Sequence, residues 1–264
     1  MSRKLGAFIN TGIGISAAFV VAGVVAFGLA QADQASATAP DKTVSTTSTK
    51  APTARPTAKP TTAQSSSTPV ASASHEPAGN PTAVAGGKKV LFLTFDDGPD
   101  PVWTPQVLAV LAKYDAHGTF FELGSMQAAH PAIRDQVLAA GNTIGSHSIS
   151  HAQLTKVSAA KRHHEIFDGP QSKCFRPPYG AVNDKVRADV RAAGMIPVLW
   201  DVDTLDWQRP GKQAIVNSIL TQARSGSVVL MHDGGGNRSQ TVAALDQALE
   251  TLTAQGYTFP TMDC

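Results

Sequence analysis

Several short clusters in this chain carry side chains able to do acid–base or metal chemistry. Asp96 and Asp97 stand side by side at the end of an apolar run, followed by Gly98-Pro99. Adjacent carboxylates repel, so both ionise only beside a cation or an arginine; the same residues also make an ordinary polar turn. His147 and His151 are four apart, which puts both imidazoles on one face if the chain turns helically there. Two neutral imidazoles and one carboxylate, with positions left open, suit a catalytic divalent metal, although histidines at this spacing are often plain surface residues. His163 and His164 are adjacent and read as a solvated helix face. Arg176 lies in the stiff run Phe175-Arg176-Pro177-Pro178-Tyr179-Gly180, where a guanidinium can fork onto a carboxylate. Asp201, Asp203 and Asp206-Trp207 come after Trp200, and His232-Asp233-Gly234 comes after Val228–Met231. A lone histidine at a strand end is commonly structural, whereas one with an aspartate available can be a tuned acid.

Except for His163-His164, these clusters sit at or just after short apolar runs. Lys89–Phe95, Thr119–Leu123, Asn142–Ser146, a stretch near Cys174, Ile196–Trp200 and Ser227–Met231 are predicted strands. Thr104–Tyr114, Ile133–Ala140, Ser158–Phe167, Asn183–Ala193, Lys212–Ala223 and Thr241–Ala254 are predicted helices, the third opening on Ser158 as N-cap. Alternation of strand and helix predicts an α/β domain with a parallel sheet and helices outside it. A full eight-fold barrel takes about 250 residues, and 177 remain from Lys88 onward. An incomplete or distorted (β/α) barrel over residues 88–264 is therefore expected, with its chemistry where strands end.

The preceding third has another character. Arg3 and Lys4 precede an apolar run from Ile13 to Ala30, so residues 1–34 read as a secretory signal. The alternative is an uncleaved anchor within residues 5–30, because roughly 18 apolar residues nearly reach the ~20 that span a bilayer. Either way the domain is expected outside the cell, as a secreted, wall-associated or membrane-anchored protein. From Ala35 to Gly87, 38 of 53 residues are Ala, Ser, Thr or Pro, so residues 35–87 are expected to be a disordered linker.

Charge divides along the same boundary. Residues 1–87 hold 6 of the 22 basic and 3 of the 20 acidic residues, leaving 16 and 17 for the rest. The domain is thus near neutral and lacks the basic excess of a nucleic-acid binder. Two cysteines exclude a Cys-rich zinc module or a dense disulfide scaffold. The absence of a Gly-x-Ser-x-Gly elbow argues against a serine hydrolase acting through Ser146 or Ser148.

Taken in order, Thr94-Phe95-Asp96-Asp97-Gly98-Pro99, His147-x-x-x-His151, Arg176-Pro-Pro-Tyr179-Gly180, Asp203-x-x-Asp206-Trp207 and Leu230-Met-His232 resemble the motif set of the polysaccharide deacetylases. These are the NodB-homology domains of carbohydrate esterase family 4, and the likeness extends over essentially all of residues 88–264. The resemblance implies a NodB-type barrel with Asp97, His147 and His151 as metal ligands, usually for Zn²⁺, with Co²⁺ able to substitute. It implies that Asp96 is the general base and that Arg176 holds Asp96 ionised. The backbone N–H of Tyr179 would face the oxyanion, and Trp207 and Leu230 would wall the acetyl pocket. His232 would be the general acid, its charged form stabilised by Asp206. The implied partner is an acetylated polysaccharide or oligosaccharide acted on by a monomer, of N-acetylglucosamine-containing peptidoglycan or chitin type. An O-acetyl esterase acting on acetylated xylan would use the same residues. A catalytically silent glycan-binding module is expected to lack Asp96, a metal ligand or His232, and all are present.

One departure lies between Glu165 and Phe175, where the chain is shorter than family members by about a helical turn or more, leaving groove shape and glycan preference open. In an exported protein two cysteines commonly pair, so a Cys174–Cys264 bridge pinning the tail beneath the site is expected, the alternative being two unpaired buried thiols.

Overall fold

A computed structural model describes residues 89–264; the expected signal or anchor and the linker lie outside the described residues. The chain runs through β1 (Lys89–Val90), β2 (Phe92–Asp96), α1 (Thr104–Lys113), β3 (Gly118–Glu122), α2 (Gly124–Ala129), α3 (Pro131–Ala139) and β4 (Thr143–Ser146). It continues through α4 (Ala159–Phe167), β5 (Cys174–Phe175), α5 (Asp184–Ala192), β6 (Ile196–Pro197) and β7 (Val202–Asp203). Helix α6 (Lys212–Gln222), β8 (Val228–His232), α7 (Ser239–Ala254) and β9 (Tyr257–Thr258) complete it. Among the described residues no helix is long and apolar enough to cross a membrane.

Seven strands form one parallel sheet in the order β6-β5-β4-β3-β2-β8-β7, curled into an incomplete barrel. Side chains alternate across a strand, and a parallel sheet is covered on both faces. Leu93 and Phe95 of β2 accordingly face outward, packing with Val107 and Leu111 of α1 and with Leu245 and Leu249 of α7. Phe92 points into the barrel, where it meets Phe121, Val198, Val228 and Met262. A third cluster ties α4 and α5 to β5 through Ile166, Val186, Val190 and Phe175. Two helix starts obey their capping residues: Ser158 accepts the Lys161 N–H at 3.2 Å, and Asn183 accepts the Val186 N–H at 3.0 Å.

Several elements differ from the sequence reading, and β7, β9 and α2 have no counterpart in it. The predicted strand Lys89–Phe95 is split at Leu91, because β1 pairs with β9 whereas β2 pairs with β8 and β3. The predicted strand Ile196–Trp200 ends at Pro197, since β6 is one edge of the sheet and β7 the opposite edge. Val198 still donates to the Phe175 carbonyl and Asp201 to that of Val228, so Leu199 and Trp200 carry the chain across the opening between the edges. Helix α2 has six residues, none buried, and therefore shows no apolar period.

Cys174 and Cys264 form a disulfide. It closes a loop of 90 residues, worth about 4.6 kcal/mol in the chain-entropy treatment. The tail it fixes runs beneath the barrel, with Met262 buried beside Phe121 and its N–H on the Thr119 hydroxyl at 3.0 Å.

Candidate active site

The carboxyl ends of β2, β4 and β8 and the turns after β5 and β7 converge on one cleft of about 370 Å³. Asp96 ends β2 and keeps the strand's alternation, so its buried side chain enters the barrel interior. Asp97 leaves the strand at φ 76°, a left-handed conformation that aspartate tolerates better than most residues. The two carboxylates therefore diverge. The turn packs so closely against Asp233 that a Cβ on Gly98 would collide with the Asp233 carboxylate.

Asp97 Oδ1 lies 3.6 Å from His147 Nε2 and 3.4 Å from His151 Nε2. That oxygen is buried and has no hydrogen-bond partner. An orphaned carboxylate oxygen facing two imidazole nitrogens fits a divalent cation, and the three ligand atoms all lie within 4.8 Å of one another. His147 Nδ1 meets the Arg176 carbonyl at 2.7 Å. That contact assigns the proton to Nδ1 and leaves the Nε2 lone pair toward Asp97. Burial pushes the His147 pKa down to about 3, keeping the ring neutral as a ligand must be. The segment between the histidines is not the helical turn considered from the spacing. Ser148 and His151 take φ of 70° and 59°, so the loop doubles back and brings the ring centroids to 5.0 Å.

Arg176 is wholly buried and donates through Nη1 to Asp96 Oδ1 at 2.7 Å and to the Thr94 hydroxyl at 2.8 Å. Its guanidinium lies over the Phe121 ring, 4.0 Å from the centroid. Burial raises the Asp96 pKa above the ordinary aspartate value, against the opposing pull of the Arg176 charge. Asp96 Oδ2 is 3.7 Å from His147 Nε2, on the cleft side.

His232 is paired with Asp96 in the register of β8 on β2. Its Nδ1 meets Asp206 Oδ1 at 2.7 Å, while Asp206 Oδ2 accepts the His232 N–H at 2.9 Å and the Thr241 hydroxyl at 2.8 Å. Burial alone would depress the histidine; the Asp206 carboxylate overcomes it and raises the His232 pKa. Burial would likewise raise Asp206, but His232 and Thr241 hold it low.

Tyr179 and Trp207 are exposed at the rim, Leu230 is buried in the wall, and the Tyr179 ring meets His151 edge-on at 4.5 Å. Tyr179 has φ 62°, and the next residue must be Gly180 because a Cβ there would come within 2.8 Å of Trp200. The structure thus brings Asp96, Asp97, His147, His151, Tyr179, Trp207, Leu230 and His232 to the cleft, with Arg176 and Asp206 directly behind it. Cys174 and Cys264 lie away from it at the barrel's underside. His163 and His164 are exposed on α4.

Sequence reasoning assigned no role to Thr94, Trp200, Thr241 or Glu165. Thr94 and Thr241 are single hydroxyls whose partners stand 82 and 35 residues away, so no local spacing marks them. Glu165 is buried in α4 and bonds across to the loop between the histidines; despite burial, Lys161 and the Ser150 and Ile149 donors hold its pKa down at about 2.

A family model described as polysaccharide deacetylase matches residues 83–198. A peptidoglycan-N-acetylglucosamine deacetylase of Bacillus cereus is 43% identical over 198 residues, 71% of this chain and 93% of the relative. A chitooligosaccharide deacetylase of Sinorhizobium fredii is 34% identical, over 65% of this chain and 89% of the relative. Among solved structures, the peptidoglycan deacetylase PdaC of Bacillus subtilis superposes with a TM-score of 0.62 at 38% identity, covering 67% of this chain and 90% of that one.

Proposed function

This chain belongs to the polysaccharide deacetylases of carbohydrate esterase family 4, which hydrolyse N-acetyl groups on glycans, and from that premise we propose a secreted, metal-dependent deacetylase acting on N-acetylglucosamine in peptidoglycan. The observation that carries the reading is the pairing of Asp96 with His232 across adjacent strands at the mouth of one cleft. Neighbouring strands lie about 4.8 Å apart, so a base and an acid can flank one scissile bond.

Asp97, His147 and His151 are the ligand set for a divalent ion, with zinc the first choice for two imidazoles and a carboxylate and Co²⁺ a substitute. Bound there, such an ion would supply Lewis acidity toward the acetyl carbonyl and toward water. Asp96 takes the proton of the attacking water on Oδ2, since Arg176 occupies Oδ1. The Tyr179 backbone N–H is available to the carbonyl oxygen as negative charge develops on it. With Asp206 on Nδ1, His232 carries its transferable proton on Nε2 and gives it to the departing sugar amine. Leu230 and Trp207 wall the space for the acetyl methyl group. The basic N-terminal residues and apolar run support export, and the likeness to the Bacillus cereus enzyme supports a cell-wall glycan.

The acid also sets a pH dependence. A raised pKa keeps His232 protonated to higher pH, so activity falls as pH rises through that value. Asp206→Asn removes the stabilising charge and should shift the basic limb of kcat/KM toward lower pH. A limb that stays in place would show that His232 is not the acid.

Acetate release from peptidoglycan, chitooligosaccharides and acetylxylan tests substrate class. Peptidoglycan is expected to give the highest kcat/KM, chitooligosaccharides less and acetylxylan least. Release confined to acetylxylan would overturn the reading in favour of an O-acetyl esterase.

A further inference from the structure

Helix α4 contributes no group to the proposed reaction, yet its last full turn is built into the loop joining two of the metal ligands. Glu165 is completely buried there, and its carboxylate accepts four hydrogen bonds. Oε2 takes the backbone N–H groups of Ile149 at 2.9 Å and Ser150 at 2.8 Å. Oε1 takes the Ser150 hydroxyl at 2.5 Å and the Lys161 ammonium at 2.7 Å.

The loop needs such a partner. Ser148 and His151 are both left-handed without being glycine, which costs energy that the surroundings must offset. A backbone N–H shielded from water must also find an acceptor. The carbonyl side of the loop is served by α2, whose first residues Gly124 and Ser125 donate to Ser148 and Ile149 at 2.9 and 3.0 Å. The amide side is served by Glu165 alone at Ile149 and Ser150, with Ser148 Oγ taking the His151 N–H at 3.2 Å. The exit of α4 runs close to this contact. Gly169 returns the chain so tightly that a Cβ there would lie 3.1 Å from the Glu165 carbonyl and 3.5 Å from the Ser148 backbone.

We propose that Glu165 is a positioning residue for the metal: by clamping Ile149 and Ser150 it fixes the loop conformation in which His147 and His151 both face Asp97. The proposal rests on the assignment of Asp97, His147 and His151 as ligands. Groups that orient first-sphere ligands typically change metal affinity by about 10- to 100-fold when altered. In Glu165→Gln the volume is kept, but one oxygen becomes an N–H₂ that cannot accept from Lys161, and the bonds to Ile149 and Ser150 lose the charge that strengthens them, so the clamp is weakened. In Ser150→Ala one of the four bonds is removed and the carboxylate stays.

The test is the zinc dissociation constant of the full chain, stripped with a chelator and titrated against a chromophoric competitor. Glu165→Gln should weaken zinc binding by about tenfold or more, and Ser150→Ala should weaken it less, in the same direction. If Glu165→Gln does not fold, Ser150→Ala decides: a weakened zinc affinity supports the clamp and an unchanged one overturns it. A Glu165→Gln protein that unfolds more readily without metal but binds zinc like the parent would show Glu165 to be purely structural and overturn the proposal. Failure of the parent chain to bind zinc would overturn the ligand assignment itself, and this proposal with it.

Discussion

Asp96→Asn should lower kcat by about a thousandfold while leaving zinc affinity within a factor of about two. A positioned general base contributes roughly 10²- to 10⁴-fold, and the amide cannot accept a proton at neutral pH. Its carbonyl oxygen can still receive Arg176 Nη1, which Asp96 Oδ1 receives at 2.7 Å, so the side chain keeps its place. Asp96 is outside the proposed ligand set, and zinc should still bind. The guanidinium does lose the carboxylate charge beside it in a fully buried setting. Breaking such pairs typically costs about 3–5 kcal/mol, so the thermal midpoint should fall as well. Turnover measured below that midpoint, with zinc content determined on the same sample, separates the two effects. Near-normal turnover would remove Asp96 from the role of base.

Stripping the metal should have an effect at least as large. Without a cation, Asp97 Oδ1 is a buried oxygen lacking a partner, and nothing else in the cleft compensates the developing oxyanion beyond a backbone donor. Chelation is expected to abolish acetate release, with Zn²⁺ or Co²⁺ restoring it. Mg²⁺ should fail, because it favours all-oxygen octahedral sites and two of the three ligand atoms here are imidazole nitrogens. Full turnover in a preparation shown to be metal-free would end the metal-dependent mechanism.

Much of this architecture is legible in the chain because strand ends carry its unusual residues. Runs such as Phe92–Asp96 and Val228–His232 are buried on both faces and interrupted by turn residues, so their positions and the residues just beyond them can be read locally. The alternation with helices then implies that those ends share one side of a sheet. Local reading cannot supply conformation imposed from elsewhere. The four-residue spacing of His147 and His151 suggests a helical face, yet the loop obeys hydrogen bonds it accepts from α2 and donates to Glu165, partners outside the loop. Thr241 is one polar residue on an amphipathic helix until α7 lays it against Asp206. Lys89–Phe95 looks like one strand because its apolar pattern is continuous; only the competing partners β9 and β8 divide it.

The opening in the barrel wall gives the groove an unusual latitude for change. Leu199 and Trp200 cross between sheet edges without strand partners of their own, and Trp200 lines the cleft. Extra residues there would lengthen the wall facing the glycan without displacing any ladder, and doubling a flexible span costs only about 0.6 kcal/mol in closure entropy. The crossing is tied to the site at Leu199, whose carbonyl accepts Arg176 Nη2 at 3.3 Å, so residues added after Leu199 leave the guanidinium on Asp96 undisturbed. Descendants of this chain, or a designer, can therefore vary the cleft wall beyond Leu199 while leaving the Arg176–Asp96 pair in place.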